Sequence, residues 1–178
     1  MTQVTDRPDT YGVLTEPTTL TIQRRLPGTI ERVWSYLTDS DLRRQWLAAG
    51  AMELKAQAPF EFVWRNSELT DPPGQRPDGF GEEHRMQCRI VECVPPRRLV
   101  FTWGANAEVS WELKAQGDGV LFTIVHRRVT ERAVLLNVSA GWHAHVDVLA
   151  ARLEGIAPAP FWDAWSELKK DYERRIPA

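Results

Sequence analysis

The chain has 178 residues, with 22 Lys and Arg against 24 Asp and Glu, a formal charge of −2 and 43% hydrophobic residues. That length suits one domain burying about 70% of its extended surface, which needs no metal or disulfide staple. The near balance of charge excludes the clustered basic excess of a nucleic-acid footprint. Apolar runs of only a few residues exclude a membrane-spanning helix. Met1 to Gly12 contains Asp6, Arg7, Pro8 and Asp9 and no apolar core, so it does not read as a secretory signal. A soluble, cytoplasmic domain is expected.

Residues 1–15, rich in Thr, Asp and Pro, read as a loose arm, and residues 16–178 as a single domain. Thr19 to Leu26 alternates as a strand and Pro27-Gly28 stops it. Thr29 is placed as an N-cap, with Glu31 in the first turn and Ile30, Val33, Trp34 and Leu37 at helical spacing. Asp39 or Ser40 then caps a second short helix running through Trp46 and Leu47 towards Gly50.

From Ala51 the period is two. Met52 and Leu54 predict one strand, and Phe60, Phe62 and Trp64 the next. Asn66 to Gly81, with three Pro and three Gly, is a loop long enough to be mobile or functional. Alternation resumes through His84, Met86, Cys88 and Ile90, and Pro95-Pro96 turns the chain into Leu99 to Trp103. Val109, Trp111 and Leu113 follow, then a Gly117-Asp118-Gly119 hairpin signal and Val120, Phe122, Ile124 and His126. Six successive strands after the short helices describe an antiparallel meander.

Near Ser139 the period becomes helical: Trp142, His145, Val146, Leu149 and Leu153 share one face. Gly155 and Pro158 to Pro160 interrupt the helix, and Phe161, Trp165, Leu168 and Tyr172 form a second amphipathic stretch. The expected class is α+β: a curved antiparallel sheet wrapped around a long C-terminal helix, with two short helices after the first strand.

The motifs exclude several chemistries. Cys88 and Cys93, five apart in one strand, point to opposite faces and read as free thiols. There is no zinc-spaced Cys/His cluster, HExxH, nucleophile elbow or phosphate-binding glycine loop. His143 and Asp147 stand at i, i+4 and read as an ordinary helical surface pair. His143 and His145 lie about 200° apart around a helix and cannot share one ion. No metal and no cofactor are expected.

Several segments resemble one superfamily. They are the strand Leu20 to Leu26, the helix Thr-Ile-Glu-Arg-Val-Trp-Ser-Tyr-Leu-Thr-Asp at Thr29 to Asp39, and Arg-Gln-Trp at Arg44 to Trp46. Leu-Val-Phe-Thr-Trp at Leu99 to Trp103 and Gly-Trp-His-Ala-His-Val-Asp-Val-Leu at Gly141 to Leu149 complete the set. Together they resemble the SRPBCC superfamily, and within it bacterial proteins named for the activator of the ninety-kilodalton heat-shock protein ATPase. The likeness spans roughly Thr19 to Arg174. It implies a helix-grip fold, often with an apolar cavity between sheet and helix. Relatives include lipid carriers, hormone receptors and polyketide cyclases.

The apolar strand parities should face the helix, and they carry His84 and His126 inward to meet His145. A mostly apolar pocket with a few placed polar groups describes a small-molecule site. The expected ligand-contacting residues are Trp64, His84, Met86, Trp111, His126, Trp142, His145, Val146 and Leu149. Three functions fit. One is a domain binding an apolar or aromatic small molecule. Another is a cyclase, dehydratase or hydrolase using His145, His84 or His126 as acid or base. The third is an interaction or chaperone-associated module, including a homodimer formed through Val134–Leu136 or the Phe161–Tyr172 helix. Two loops are candidate gates: Asn66 to Gly81, and Thr130 to Val138 with its apolar Val134-Leu135-Leu136.

Overall fold

The computed structural model of the protein describes residues 10–178. Strand β1 (Val13–Glu16) leads into β2 (Thr19–Pro27), helices α1 (Ile30–Thr38) and α2 (Ser40–Arg43), and β3 (Pro59–Trp64). Four further strands follow: β4 (His84–Val94), β5 (Arg98–Trp103), β6 (Ala107–Gln116) and β7 (Gly119–Arg127). Helices α3 (Arg132–Glu154) and α4 (Phe161–Arg175) complete the chain. All strands join one curved sheet in the order β1-β2-β7-β6-β5-β4-β3, each neighbour antiparallel. The α+β helix-grip expectation holds.

Local chemistry explains most boundaries. Thr29 Oγ1 accepts from Arg32 N at 3.2 Å and caps α1, while Asp39 Oδ1 accepts from Asp41 N and Leu42 N and caps α2. Gly117 takes φ 60° in the two-residue turn that sets Gln116 opposite Gly119. Gly155, at φ 71°, ends α3, with Ile156 N donating to Ala151 O at 3.0 Å.

Helix α2 ends at Arg43 instead of running through Trp46 and Leu47, the β-bulge between Ile90 and Glu92 turns Cys93 to the same face as Cys88, and four larger expectations also differ from the structure. Ala51 to Lys55 is not a strand, so five strands rather than six follow the short helices. The reason is Arg43, a fully buried guanidinium that donates to the carbonyls of Leu37, Thr38, Ala48 and Gly50. Four carbonyls gathered on one cation hold residues 48–50 in a fixed bend. Only Ala49 pairs with β3, through Val63, and Gly50, at φ 136°, lies so close to Glu61 O that a Cβ would sit 1.9 Å from it. Met52 packs inward without any strand partner.

The loose arm is the second difference. Residues 1–9 lie outside the described residues, but Val13–Glu16 pairs with β2, Val13 opposite Thr21 and Leu14 opposite Leu20. Gly12 N donates to Tyr172 OH at 2.7 Å and Tyr11 OH to Asp171 Oδ2 at 2.8 Å, so Tyr11 and Gly12 are fastened to α4. Thirdly, Thr130 to Val138 is not a gating loop. From Arg132 it is the first two turns of α3, and of the apolar triplet Leu135 and Leu136 are buried and Val134 is exposed, at 44%.

Fourthly, His143 and Asp147 do pair across one helical turn, His143 Nε2 lying 3.7 Å from Asp147 Oδ2, but the histidine is not at the surface. His143 is buried against Tyr172 OH, 2.9 Å from its Nδ1, and Asp147 holds Arg24 Nη1 at 2.7 Å. Arg24 shares the inward parity of Leu20, Ile22 and Leu26, so its charge meets the helix instead of solvent.

Candidate functional site

The middle of the grip is filled. Trp111 is fully buried and meets Phe101, Phe122 and Trp142 edge to face, while Trp46 lies tilted against it. Val146 and Leu149 of α3 are fully buried in the same core.

Towards the β3–β4 edge the packing opens into a cavity of about 430 Å3. The sheet contributes Trp64, Met86 and Trp103, and α3 contributes Val138, Gly141, Trp142 and His145. Phe161, Trp162 and Trp165 of α4 face them, and Gly79 to Glu83 with His84 form the rim. The local reason for the space is Gly141. A Cβ there would meet only Trp165 Nε1, at 4.0 Å, so the helix offers no side chain where the two aromatic walls diverge.

The loop after β3 frames the opening. Thr70 Oγ1 accepts from Phe161 N at 3.0 Å, Pro73 O accepts from Trp162 N at 3.0 Å, and Asp163 Oδ1 accepts from Gln75 N at 2.9 Å. Those bonds pin residues 70–75 to the start of α4. Beyond them Phe80, flanked by Gly79 and Gly81, lies 5.2 Å from Trp162 and 5.0 Å from Trp165 by ring centroid while 38% exposed.

His145 supplies the innermost polar group, at 6% exposure. Its Nδ1 is 2.6 Å from Gly141 O, which accepts only, so Nδ1 carries the proton. Nε2, 3.0 Å from Asn66 Oδ1, then presents a lone pair to another acceptor, so the neutral pair is satisfied only with that amide flipped to turn its NH2 inward. Burial pulls the imidazole down to about 4, with the Gly141 carbonyl acting weakly the other way. His145 is therefore a neutral, oriented ring at pH 7. His126 is also pulled down to about 4 by burial; Trp142 Nε1 donates to its Nδ1 at 3.0 Å.

Five of the expected ligand-contacting residues line this cavity: Trp64, His84, Met86, Trp142 and His145. Four do not. Trp111, Val146 and Leu149 are fully buried in the core cluster and do not line the cavity. His126 stands at the back of the cavity wall, covered by Trp142 and Trp103. His84 sits at the rim, stacked on Trp64 at 5.4 Å and exposed, so it does not meet His145 inside the grip.

Sequence reasoning missed Asn66, Phe80 and Gly141. One signal was available for Phe80, a single aromatic between two glycines in an otherwise polar loop. Asn66 is marked in the sequence only as the start of a candidate gate and Gly141 only as part of a family-like motif, because their roles depend on which elements meet. Among the described residues no three His, Cys, Asp or Glu side chains gather as a metal site, and no helix is long and apolar enough to cross a membrane.

Comparison with known proteins agrees with this architecture. The solution structure of the BPP1335 protein from Bordetella parapertussis is 36% identical, with a TM-score of 0.79 over 96% of this chain and 93% of that one. CalU16 from Micromonospora echinospora, 22% identical, gives 0.64 over 88% and 86%. A conserved protein of unknown function from Enterococcus faecalis, EF2215, is 18% identical and gives 0.69 over 93% and 88%. The last two likenesses concern the fold alone. The comparison with curated protein sequences returned no match. The family described as Activator of Hsp90 ATPase homolog 1-like protein matches residues 27–154, most of the grip, and this chain belongs to that family, within the SRPBCC superfamily.

Proposed function

We propose that the protein binds an apolar or aromatic small molecule in the cavity between the β3–β4 edge and helices α3 and α4. The observation that carries this reading is the cavity itself: about 430 Å3, walled by tryptophan and phenylalanine, with the His145–Asn66 pair as its inner polar group. An apolar enclosure with one oriented polar group discriminates by shape first and by a single hydrogen bond second. Both ring nitrogens of His145 are already engaged, which suits positioning a ligand better than carrying a proton to it.

The test uses Gly141→Leu. A leucine there points into the space between the walls and also replaces a poor helix former in mid-helix, a gain of up to about 1 kcal/mol. Wild-type protein is expected to bind the neutral dye N-phenyl-1-naphthylamine saturably, at one site. The variant should lose that binding while its melting temperature holds or rises. Dye binding unchanged in Gly141→Leu would place any binding site elsewhere.

A further inference from the structure

We infer that the ligand of this cavity carries a positive charge, an ammonium or other weakly hydrated cation on an aromatic or aliphatic body. The inference rests on the ligand-binding reading above and concerns the electrostatics of the walls. Trp64, Trp103 and Trp142 form one side, with ring centroids 5.6 and 5.3 Å apart at interplanar angles of 67° and 49°. Phe80, Trp162 and Trp165 form the other, at 50° to 79° to one another. None of these ring pairs stacks face to face; Trp64 has His84 stacked on one face, and the other rings meet at steep angles that leave part of their negative faces towards the space, the arrangement that attracts a cation. Trp165 already holds one ammonium in this manner, that of Lys169, 5.5 Å from its ring centroid.

The charges around the cavity point the same way. Among the described residues no Lys or Arg lines it, and His145 is neutral at pH 7. The start of α4, which would otherwise favour an anion, has its Phe161 and Trp162 N–H groups taken by Thr70 and Pro73. Two carboxylates stand at the rim. Glu83 is held by Arg65 and Arg85, each at 2.8 Å, while Glu82 makes no ion pair among the described residues. An anion entering here meets ring faces and a free carboxylate with nothing to neutralise it. A cation meets favourable partners throughout.

The experiment compares three probes with one benzyl body and a tetrahedral head of different charge: benzyltrimethylammonium, neopentylbenzene and phenylmethanesulfonate. Each displaces N-phenyl-1-naphthylamine from the full-length protein at pH 7.5. The ammonium is expected to bind about threefold or more tighter than the neutral isostere, the span of a cation over uncovered aromatic faces. The sulfonate should bind weakest. Glu82→Gln should reduce the ammonium-to-neutral ratio by about twofold, as befits an exposed charge, and leave the neutral probe unchanged. Equal binding of all three, or tighter binding of the neutral or anionic probe, overturns the charge inference and leaves the cavity reading standing. Dye that never binds, or is displaced by none of the three, overturns both.

Discussion

Two aromatic regions lie side by side under α3, built from the same residue types, and only one is hollow. Deep in the core Trp46, Phe62, Phe101, Trp111 and Phe122, drawn from the segment after α2 and from β3, β5, β6 and β7, pack on one another and are fully or almost fully buried. Towards the β3–β4 edge Trp64, Trp103, Trp142, Trp162 and Trp165 enclose a cavity of about 430 Å3. Ring count does not separate the two regions. On α3, Val146 and Leu149 are fully buried in the core cluster with the first, whereas Gly141 lines the second without a side chain. An aromatic wall becomes a binding wall where the opposing element withholds a side chain, because rings at fixed rotamers do not collapse into the gap.

The largest effect expected from this contrast is on stability. Trp111→Ala removes a fully buried ring from the filled region and should cost about 3–5 kcal/mol in urea unfolding, with no rescue by any cavity ligand. A loss below about 1 kcal/mol would mean that the middle of the grip is loosely packed as well.

Acid gives the next effect. His126 and His145 are both held at about 4 against an ordinary 6.5 by burial. Between those values the unfolded chain takes up protons that the folded chain refuses, so stability is complete above about 6.5 and falls as pH falls towards 4. At about 1.4 kcal/mol per unit of pKa, the two rings together should lower the unfolding free energy by a few kcal/mol at pH 4.5 relative to pH 7.5. In His145→Gln the slope should be roughly halved. A flat profile in wild-type protein would show that neither ring is kept from water.

The smallest stability effect belongs to the hollow side. Trp165→Ala removes a ring that faces empty space on one side, so fewer packing contacts are lost and about 1–2 kcal/mol is expected. The same change opens the wall and should weaken N-phenyl-1-naphthylamine binding severalfold. A stability loss equal to that of Trp111→Ala would erase the distinction between the two regions.

Much of the architecture is legible in the chain. The strand parities around Phe60, Cys88, Trp111 and Phe122, the caps Thr29 and Asp39, the Gly117-Asp118 turn and the Gly155 stop all act within a few residues, and they hold in the fold. Met52 and Leu54 alternate as convincingly as any strand, yet Arg43, nine residues before Met52, fixes residues 48–50 through their carbonyls and removes the strand. Val134-Leu135-Leu136 belongs to α3 although the apolar helical face is marked in the sequence only from Ser139. The cavity was partly legible: Trp64, Met86, Trp142 and His145 follow from parity and periodicity, whereas Trp111, Val146 and Leu149 satisfy the same rule and end in solid core.

Periodicity in the sequence, on its own, determined which side chains point inward, since alternation by two and by 3.6 is a property of each element alone. Tertiary structure alone decided whether an inward side chain meets another side chain or a void. That depends on the distance between α3, α4 and the sheet edge at each position, on a glycine at 141, and on a loop that brings Asn66 to His145 across 79 residues of chain.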